Sequence, residues 1–361
     1  MQAPLAITLG DPAGIAPEII VKAYAQAPEL MQGCVVFGDA AHLKRACEVV
    51  GAGLRVHTVN NASHLPSPAL VLPVIDVAVA GQPMVPLVPL VPLGRLSAQG
   101  GALAAQAVVA ATQAALRGEV AGLVTAPLNK EALAAGGWGA YPGHTELLQA
   151  LCAEQAGVPV AQMPVRMMLA NDQLRTVLVS IHVPLRQAID LVTTERVLET
   201  LAITHHSLSQ LLGRAPRIAV AGLNPHAGEG GLFGSEDQTL IAPAVAQACA
   251  QGMQASGPHA PDTVFMRARQ GEFDVVVAMY HDQGLIPVKY LGLDEGVNVT
   301  LGLPVVRTSP DHGTAFDLAG TGRADPASLL AAVRMARQLI QRPQGYSAGL
   351  QSRADCKGQG R

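Results

Sequence analysis

The chain has 361 residues, 49% of them hydrophobic and 3% aromatic, with a formal net charge of −3 at pH 7. That length exceeds what one hydrophobic core usually supports, so two domains or one large α/β unit are expected. The mildly acidic balance and the lack of a basic stripe interleaved with aromatics argue against a nucleic-acid partner, and residues 1–20 carry no basic segment leading into an apolar core, so no membrane targeting is expected.

In chain order, LAITLG reads as a first strand and DPAGIAPEIIVKAYAQ as a turn into a helix, with Pro17 in its first turn and Glu18 at the positive end of its dipole. GCVVFGD reads as the next strand and AAHLKRACEVVGAG as a helix. The segment 81–96 is an extended connection, because Pro83, Pro86, Pro89 and Pro92 remove backbone donors; the same prolines prevent the apolar stretch 77–93 from crossing a bilayer. GGALAAQAVVAATQAALRG reads as a helix and AGLVTAP as a strand ending in a loop from Pro127 to Lys130. YPGHTELLQALCAEQAG is a loop opening a helix, followed by strands in VRMMLA and RTVLVSIH. Apolar residues spaced three and four apart predict one helix over 185–213, with His205 and His206 on its solvated face. RIAVAGLNPH, DVVVAMYH and VNVTLGLPVVRTS then read as strand-forming, with helices in LIAPAVAQACAQG and PASLLAAVRMARQLIQR and a polar, frayed tail from Pro343 to Arg361. The fold class that follows is α/β, with helices packed on a largely parallel sheet. Cys34, Cys47, Cys152, Cys249 and Cys356 are odd in number and contain no CxxC pair, which fits reduced thiols in the cytoplasm.

Three of the apolar runs end on a histidine: TVLVSIH at His182, RIAVAGLNPH at His226 and DVVVAMYH at His281. Runs rich in Val and Ile without polar alternation are buried on both faces, so each imidazole emerges where a strand leaves its sheet, the edge at which open α/β sheets bind ligands. Three neutral imidazoles gathered there suit a divalent cation that keeps positions open for a substrate; three unrelated turn histidines are the plain alternative. The run GLNPHAGEGG supplies glycines for close backbone approach, but it lacks the Gly-Lys-Ser/Thr ending of a phosphate loop. YPGHTELL places His144 and Thr145 just before a helix, with Thr145 as its cap and exposed backbone donors that favour an anion. Lys289, Asn298 and Arg307 offer two cations and an amide just downstream of His281, as an anionic ligand would need.

SPDHGTAFDLAGTGRADPASLL resembles the cofactor loop of the isocitrate and isopropylmalate dehydrogenases, which bind nicotinamide nucleotides without a Rossmann glycine fingerprint; on it fall His312, Gly313 and Asp317. Taken with GDPAGIAPEI, VTAPLNKEAL, YPGHTELL, HVPL, GLNPHAGEGG, PDTVF and YHDQGLIPVK, the chain resembles the PdxA family of pyridoxal phosphate biosynthesis. The resemblance implies two α/β domains around a cleft, similar to the isocitrate dehydrogenase group: residues 1–128 with 300–361 carrying the cofactor loop, and 129–299 carrying the metal histidines and a dimer interface. It implies oxidation of 4-phosphooxy-L-threonine at C3 by NAD or NADP, then decarboxylation to 3-amino-1-hydroxyacetone phosphate, in a cytoplasmic homodimer whose sites are shared between subunits. One zinc, magnesium or cobalt ion would sit on His182, His226 and His281, with His281 the candidate to serve the neighbour's site. Substrate contacts would be His144, Thr145, Lys289, Asn298 and Arg307. Lys289, Asp262 and Asp282 remain open as proton acceptors. Ala16, where the family's motif more often has Gly, and Leu232-Phe233, in place of a more polar pair, depart from the pattern. Other substrates found among similar enzymes are phosphoerythronate, phosphothreonate or a cyclic diol carboxylate. Outside the class, the rivals are a phosphate acetyltransferase-like enzyme, which would need no metal, and a non-catalytic metal- or metabolite-binding protein.

Overall fold

The computed structural model of the protein describes residues 3–63, 65–66, 70–77, 90–292 and 295–340. Its strands are β1 (Leu5–Thr8), β2 (Cys34–Gly38), β3 (Arg55–Thr58), β4 (Val71–Asp76), β5 (Gly122–Thr125), β6 (Arg166–Ala170), β7 (Arg175–Leu178), β8 (Ile218–Ala221), β9 (Ala255–His259), β10 (Val275–Ala278), β11 (Val297–Leu301) and β12 (Val306–Pro310). They form one sheet in the order β3-β4-β2-β1-β5-β12-β11-β6-β7-β10-β8-β9.

Two parallel blocks make up this sheet. One runs from β3 to β12 and the other from β7 to β9. Between them the pairings β12/β11, β11/β6 and β6/β7 are antiparallel. Three reversals leave the blocks running in opposite directions, joined through β11 and β6.

The valine-rich strands lack alternation because both faces are covered. On one face, Ile7, Val124, Val177, Val220 and Val277 join a core that extends across both blocks. On the other, Leu178, Ala219, Val276 and Ala278 pack with Leu285 of the helix His281–Tyr290, while Ala6, Val35 and Leu123 pack with Ala111 of the helix Ala98–Leu116. Full burial of a Val or Leu side chain contributes about 1.5–3 kcal/mol, which outweighs the modest strand propensity of such short segments.

The α/β class and most elements match the reading above. The single helix expected over 185–213 is instead two, Leu185–Asp190 and Thr194–Leu212. Thr193 takes an extended conformation and its side chain accepts from Arg196 N at 3.2 Å, a cap that restarts the helix. The pattern reading passed over β3, β4 and β9. β3 is a largely exposed edge strand, and β4 and β9 contain Pro73 and Pro258. Most of the proline-rich segment 81–96, and the tail from Pro343, lie outside the described residues.

Candidate active site

β7, β10 and β8 are consecutive neighbours in the sheet and parallel. The turns that follow them therefore leave from one edge, and those turns carry His182, His281 and His226. His182 and His226 both have φ of 53°, a left-handed backbone that costs a non-glycine residue about 1 kcal/mol or more and recurs at functional sites.

His281 opens the helix His281–Tyr290 and its ring stands 5.6 Å, centroid to centroid, from that of His182 in the same chain. Its Nδ1 meets Asp282 Oδ1 at 2.6 Å, so Nε2 is the nitrogen left for a ligand. Burial holds the His182 imidazole below its ordinary pKa of 6.5, and the charges of Lys130 and His281 act in the same direction against Glu146. A neutral ring of this kind is the metal-binding form. The pair borders a hollow of about 230 Å³ with Ser180, Tyr280 and Asp282.

His226 stands apart. Residues 226–230 all have positive φ and carry the loop away from β8. The His226 ring is 59% exposed, with Nδ1 2.9 Å from Glu229 Oε2 and its edge toward Phe233 at 6.2 Å. The loop's base is held by the fully buried Asp237, whose carboxylate accepts from Leu223 N at 2.8 Å and Asn224 N at 3.1 Å. His226 lines an open cleft of about 700 Å³ with Asp262, Phe265 and Gln283, and Tyr280 and Asp282 form the wall between this cleft and the His182 hollow. Among the described residues, no three His, Cys, Asp or Glu side chains of one chain lie close enough together to hold a metal. Thus the fold brings together two of the three predicted ligands, and the outlier is His226 rather than His281.

A second pole lies over the antiparallel centre of the sheet. Arg307 on β12 is 3% exposed, and its guanidinium donates to Thr125 Oγ1 at 2.8 and 3.1 Å and to Thr300 Oγ1 at 3.0 Å. Among the described residues it has no carboxylate within ion-pair distance. Burial pulls its pKa down to about 10, with the more distant Glu146 opposing, so the group remains a cation at neutral pH. Desolvating a cation without a counter-ion is costly, and an incoming anion would remove that cost. Asn298, paired in register with Ser309 and Leu169, is half-buried on β11.

His144 flanks this pole. Its Nε2 is buried without a hydrogen-bond partner. Burial lowers its pKa well below 6.5, the charges of Arg307 and Lys130 push the same way, and a backbone hydrogen bond with Ala126 opposes them. Thr145 does not cap the helix. His144 is already its first residue, Gly143 occupies the cap position, and no side chain caps it, so Thr145 sits half-buried inside the first turn.

Lys289 reaches Asp311 Oδ2 at 2.8 Å, tying the helix of His281 to the start of the loop 311–322. On that loop His312 Nδ1 lies 3.0 Å from Gly313 O, its Nε2 is buried without a partner, and Gly313 and Asp317 are exposed. The sequence reading missed Lys130 and Glu146. Lys130 bears on both His144 and His182, and Glu146 on both His182 and Arg307, so these two link the poles electrostatically. The signal was present in the position of Lys130, which opens the short helix Lys130–Leu133 soon after β5.

The histidine pair, and a buried guanidinium without a carboxylate partner among the described residues, are groups of the kind that small-molecule enzymes use to hold a cation and an anion. The family model described as "Pyridoxal phosphate biosynthetic protein PdxA" matches residues 30–336, and the chain belongs to that family. It is 49% identical, over 93% of its length and 95% of the relative, to 4-hydroxythreonine-4-phosphate dehydrogenase of Beijerinckia indica. It is 45% identical, over 93% of its length and 98% of the relative, to D-threonate 4-phosphate dehydrogenase of Salmonella typhimurium. Its fold superposes on the crystal structure of 4-hydroxythreonine-4-phosphate dehydrogenase from Klebsiella pneumoniae with a TM-score of 0.82, at 40% identity over 95% of this chain and 99% of that one. No described helix is long and apolar enough to cross a membrane.

Proposed function

We propose that the protein is a metal-assisted, NAD- or NADP-dependent 4-hydroxythreonine-4-phosphate dehydrogenase that acts as a cytoplasmic homodimer. The observation that carries this reading is the buried Arg307, without a carboxylate partner among the described residues, beside the unpartnered Nε2 of His144. A phosphate ester satisfies both. It accepts from the guanidinium in a fixed planar geometry and, when it carries a proton, donates to the imidazole. Thr145, Asn298 and Lys289 complete the contacts to the substrate, Lys289 by exchanging its Asp311 partner for the ligand.

The imidazole nitrogen donors His182 and His281, with His226 of a second subunit, suit zinc, magnesium or cobalt, and a bound divalent cation would polarise the substrate hydroxyl and lower its proton affinity. The C3 hydroxyl would lose its proton to a side chain, and a bound nicotinamide would accept the hydride from the C3–H bond, leaving a β-keto acid that loses carbon dioxide. Of the three candidate acceptors, Asp282 is engaged by His281 and Lys289 by Asp311, while Asp262 has no ion pair among the described residues; we assign the proton to Asp262. His312, Gly313 and Asp317 hold the cofactor. The dimer is supported by exposed apolar residues around His226: Leu232 at 73% and Phe233 at 46% exposure on its own loop, and Ile286 at 62% on the wall of its cleft.

A second reading, D-threonate 4-phosphate as substrate, is favoured by the Salmonella relative. Both molecules present a phosphate and a C3 hydroxyl; they differ at C2, an amine in one and a hydroxyl in the other. Nicotinamide absorbance followed with each substrate, with and without chelator, tests the proposal. Turnover of 4-phosphooxy-L-threonine that is lost on chelation and regained with a divalent ion is expected. Exclusive turnover of the threonate ester would transfer the assignment to the second reading, and chelator-resistant turnover would remove the metal's role.

A further inference from the structure

The helix Ala16–Gln26 contacts the loop 311–322 in a way that its first-turn charge and proline do not explain. Glu18 is acidic yet 2% exposed. Neither of its carboxylate oxygens pairs with a cation among the described residues. Oε1 accepts from Gly320 N at 2.6 Å and Oε2 from Gly322 N at 2.9 Å, more than three hundred residues away in sequence. One turn later on the same helix, Lys22 donates to Ala324 O at 2.6 Å. Positions four apart share a helix face, so one face of this helix holds successive backbone groups of the segment 320–324, two donors through Glu18 and one acceptor through Lys22.

The segment is shaped to be held this way. Gly320 and Gly322 have φ of 83° and 65°, a left-handed backbone that strains any larger residue, and a Cβ at Gly320 would stand 2.9 Å from Leu93 Cδ1 and one at Gly322 3.1 Å from Val49 O. The loop's earlier half is tied to the same helix start, where Ile15 N donates to Thr314 O at 3.0 Å. Gly313, by contrast, has nothing within 4 Å of where a Cβ would be, so the outward side of the loop is open.

We propose that Glu18, assisted by Lys22, is a positioning residue for the nicotinamide cofactor: it fixes the 311–322 loop in its binding conformation so that the nucleotide does not have to order it. The inference rests on the reading that this loop holds the cofactor. Charge-assisted hydrogen bonds from backbone amides are among the stronger ones, and a preorganised loop binds more tightly than one that must be ordered on binding.

The test is steady-state kinetics on the full-length enzyme with three variants, Glu18→Gln, Lys22→Met and Gly313→Val, each also followed by thermal melting. Glu18→Gln keeps the shape but turns an amide NH₂ toward a backbone donor. It should raise the KM for NAD or NADP roughly tenfold, leaving the KM for the phosphorylated substrate and the kcat at saturating cofactor within about twofold. Lys22→Met should shift the same constant in the same direction and by less. Gly313→Val, which adds bulk on the open side without disturbing packing, should raise the cofactor KM whatever Glu18 does. If Gly313→Val raises the cofactor KM and neither Glu18→Gln nor Lys22→Met does, the loop reading stands and the clamp is wrong. If all three leave it unchanged, the cofactor binds elsewhere and both ideas fail. A Glu18→Gln enzyme that melts lower and loses kcat and both KM values together would have a merely structural glutamate, and that too overturns the proposal.

Discussion

The two poles of the site differ in how complete they are within one chain. The Arg307 pole is buried and rigid: its guanidinium is fixed by Thr125 and Thr300 on neighbouring strands of a sheet packed on both faces. The histidine pole is exposed and unfinished, with His182 and His281 adjacent and His226 on a loop of five left-handed residues outside their reach. Regular strands can place a charge for anion recognition unaided. Under the function proposed above, three separate turns would gather the metal ligands and the last would be supplied by assembly, with Leu232 and Ile286 as exposed apolar residues by His226 where a second subunit would dock.

The largest effect that would sharpen this contrast comes from Arg307→Met. It should cut kcat/KM by roughly 10²–10³-fold, the scale of losing a desolvated charged contact to the ligand. The melting temperature should hold or rise, because a buried cation with only hydroxyl partners has been removed. A variant that loses both activity and stability would make Arg307 a structural residue.

A smaller effect is expected on the other side. Asp237→Asn presents an amide to backbone donors that now meet a carboxylate, at a cost of about 1–3 kcal/mol. The His226 loop should loosen, lowering the melting temperature by roughly 2–8 °C and weakening metal retention, while binding of inorganic phosphate at the Arg307 pole stays unchanged. Weakened phosphate binding would mean that the two poles are not independent.

The smallest effect is on pH dependence. The fold keeps His144 neutral below its ordinary pKa of 6.5, so beneath that value the unfolded chain takes up a proton that the folded chain refuses. Stability should therefore fall as pH drops through 6.5, and His144→Gln should flatten that part of the curve of melting temperature against pH. An unchanged slope would show that the imidazole is not shielded as described.

Much of this was legible in the sequence. Unalternating valine runs announced strands covered on both faces, and the histidines at their ends do leave from one edge, because β7, β10 and β8 are parallel neighbours. That adjacency was not legible, since β10 inserts between β7 and β8 against chain order and only long-range pairing decides it. Nor was the displacement of His226: positive φ at His226, Ala227 and Glu229 is not a property their side chains advertise. The antiparallel centre was hidden as well, because β11 reads like its parallel neighbours until its register with β6 and β12 is known. Thr145 failed as a cap because the helix begins one residue early, a shift that composition does not encode. Glu18 was read correctly as a first-turn acid, but its partners, Gly320 and Gly322, lie at the far end of the chain.

The most direct test of the central claim, that a histidine pair in one chain is completed by His226 of another, is subunit mixing. His182→Ala and His226→Ala enzymes, each inactive alone, are unfolded, mixed and refolded together. In each mixed dimer one site has lost both histidines and the other has lost none, so the mixture should recover about a quarter of wild-type activity. Failure to recover any activity in a mixture verified to contain mixed dimers would place His182 and His226 in the same subunit's site and contradict the account.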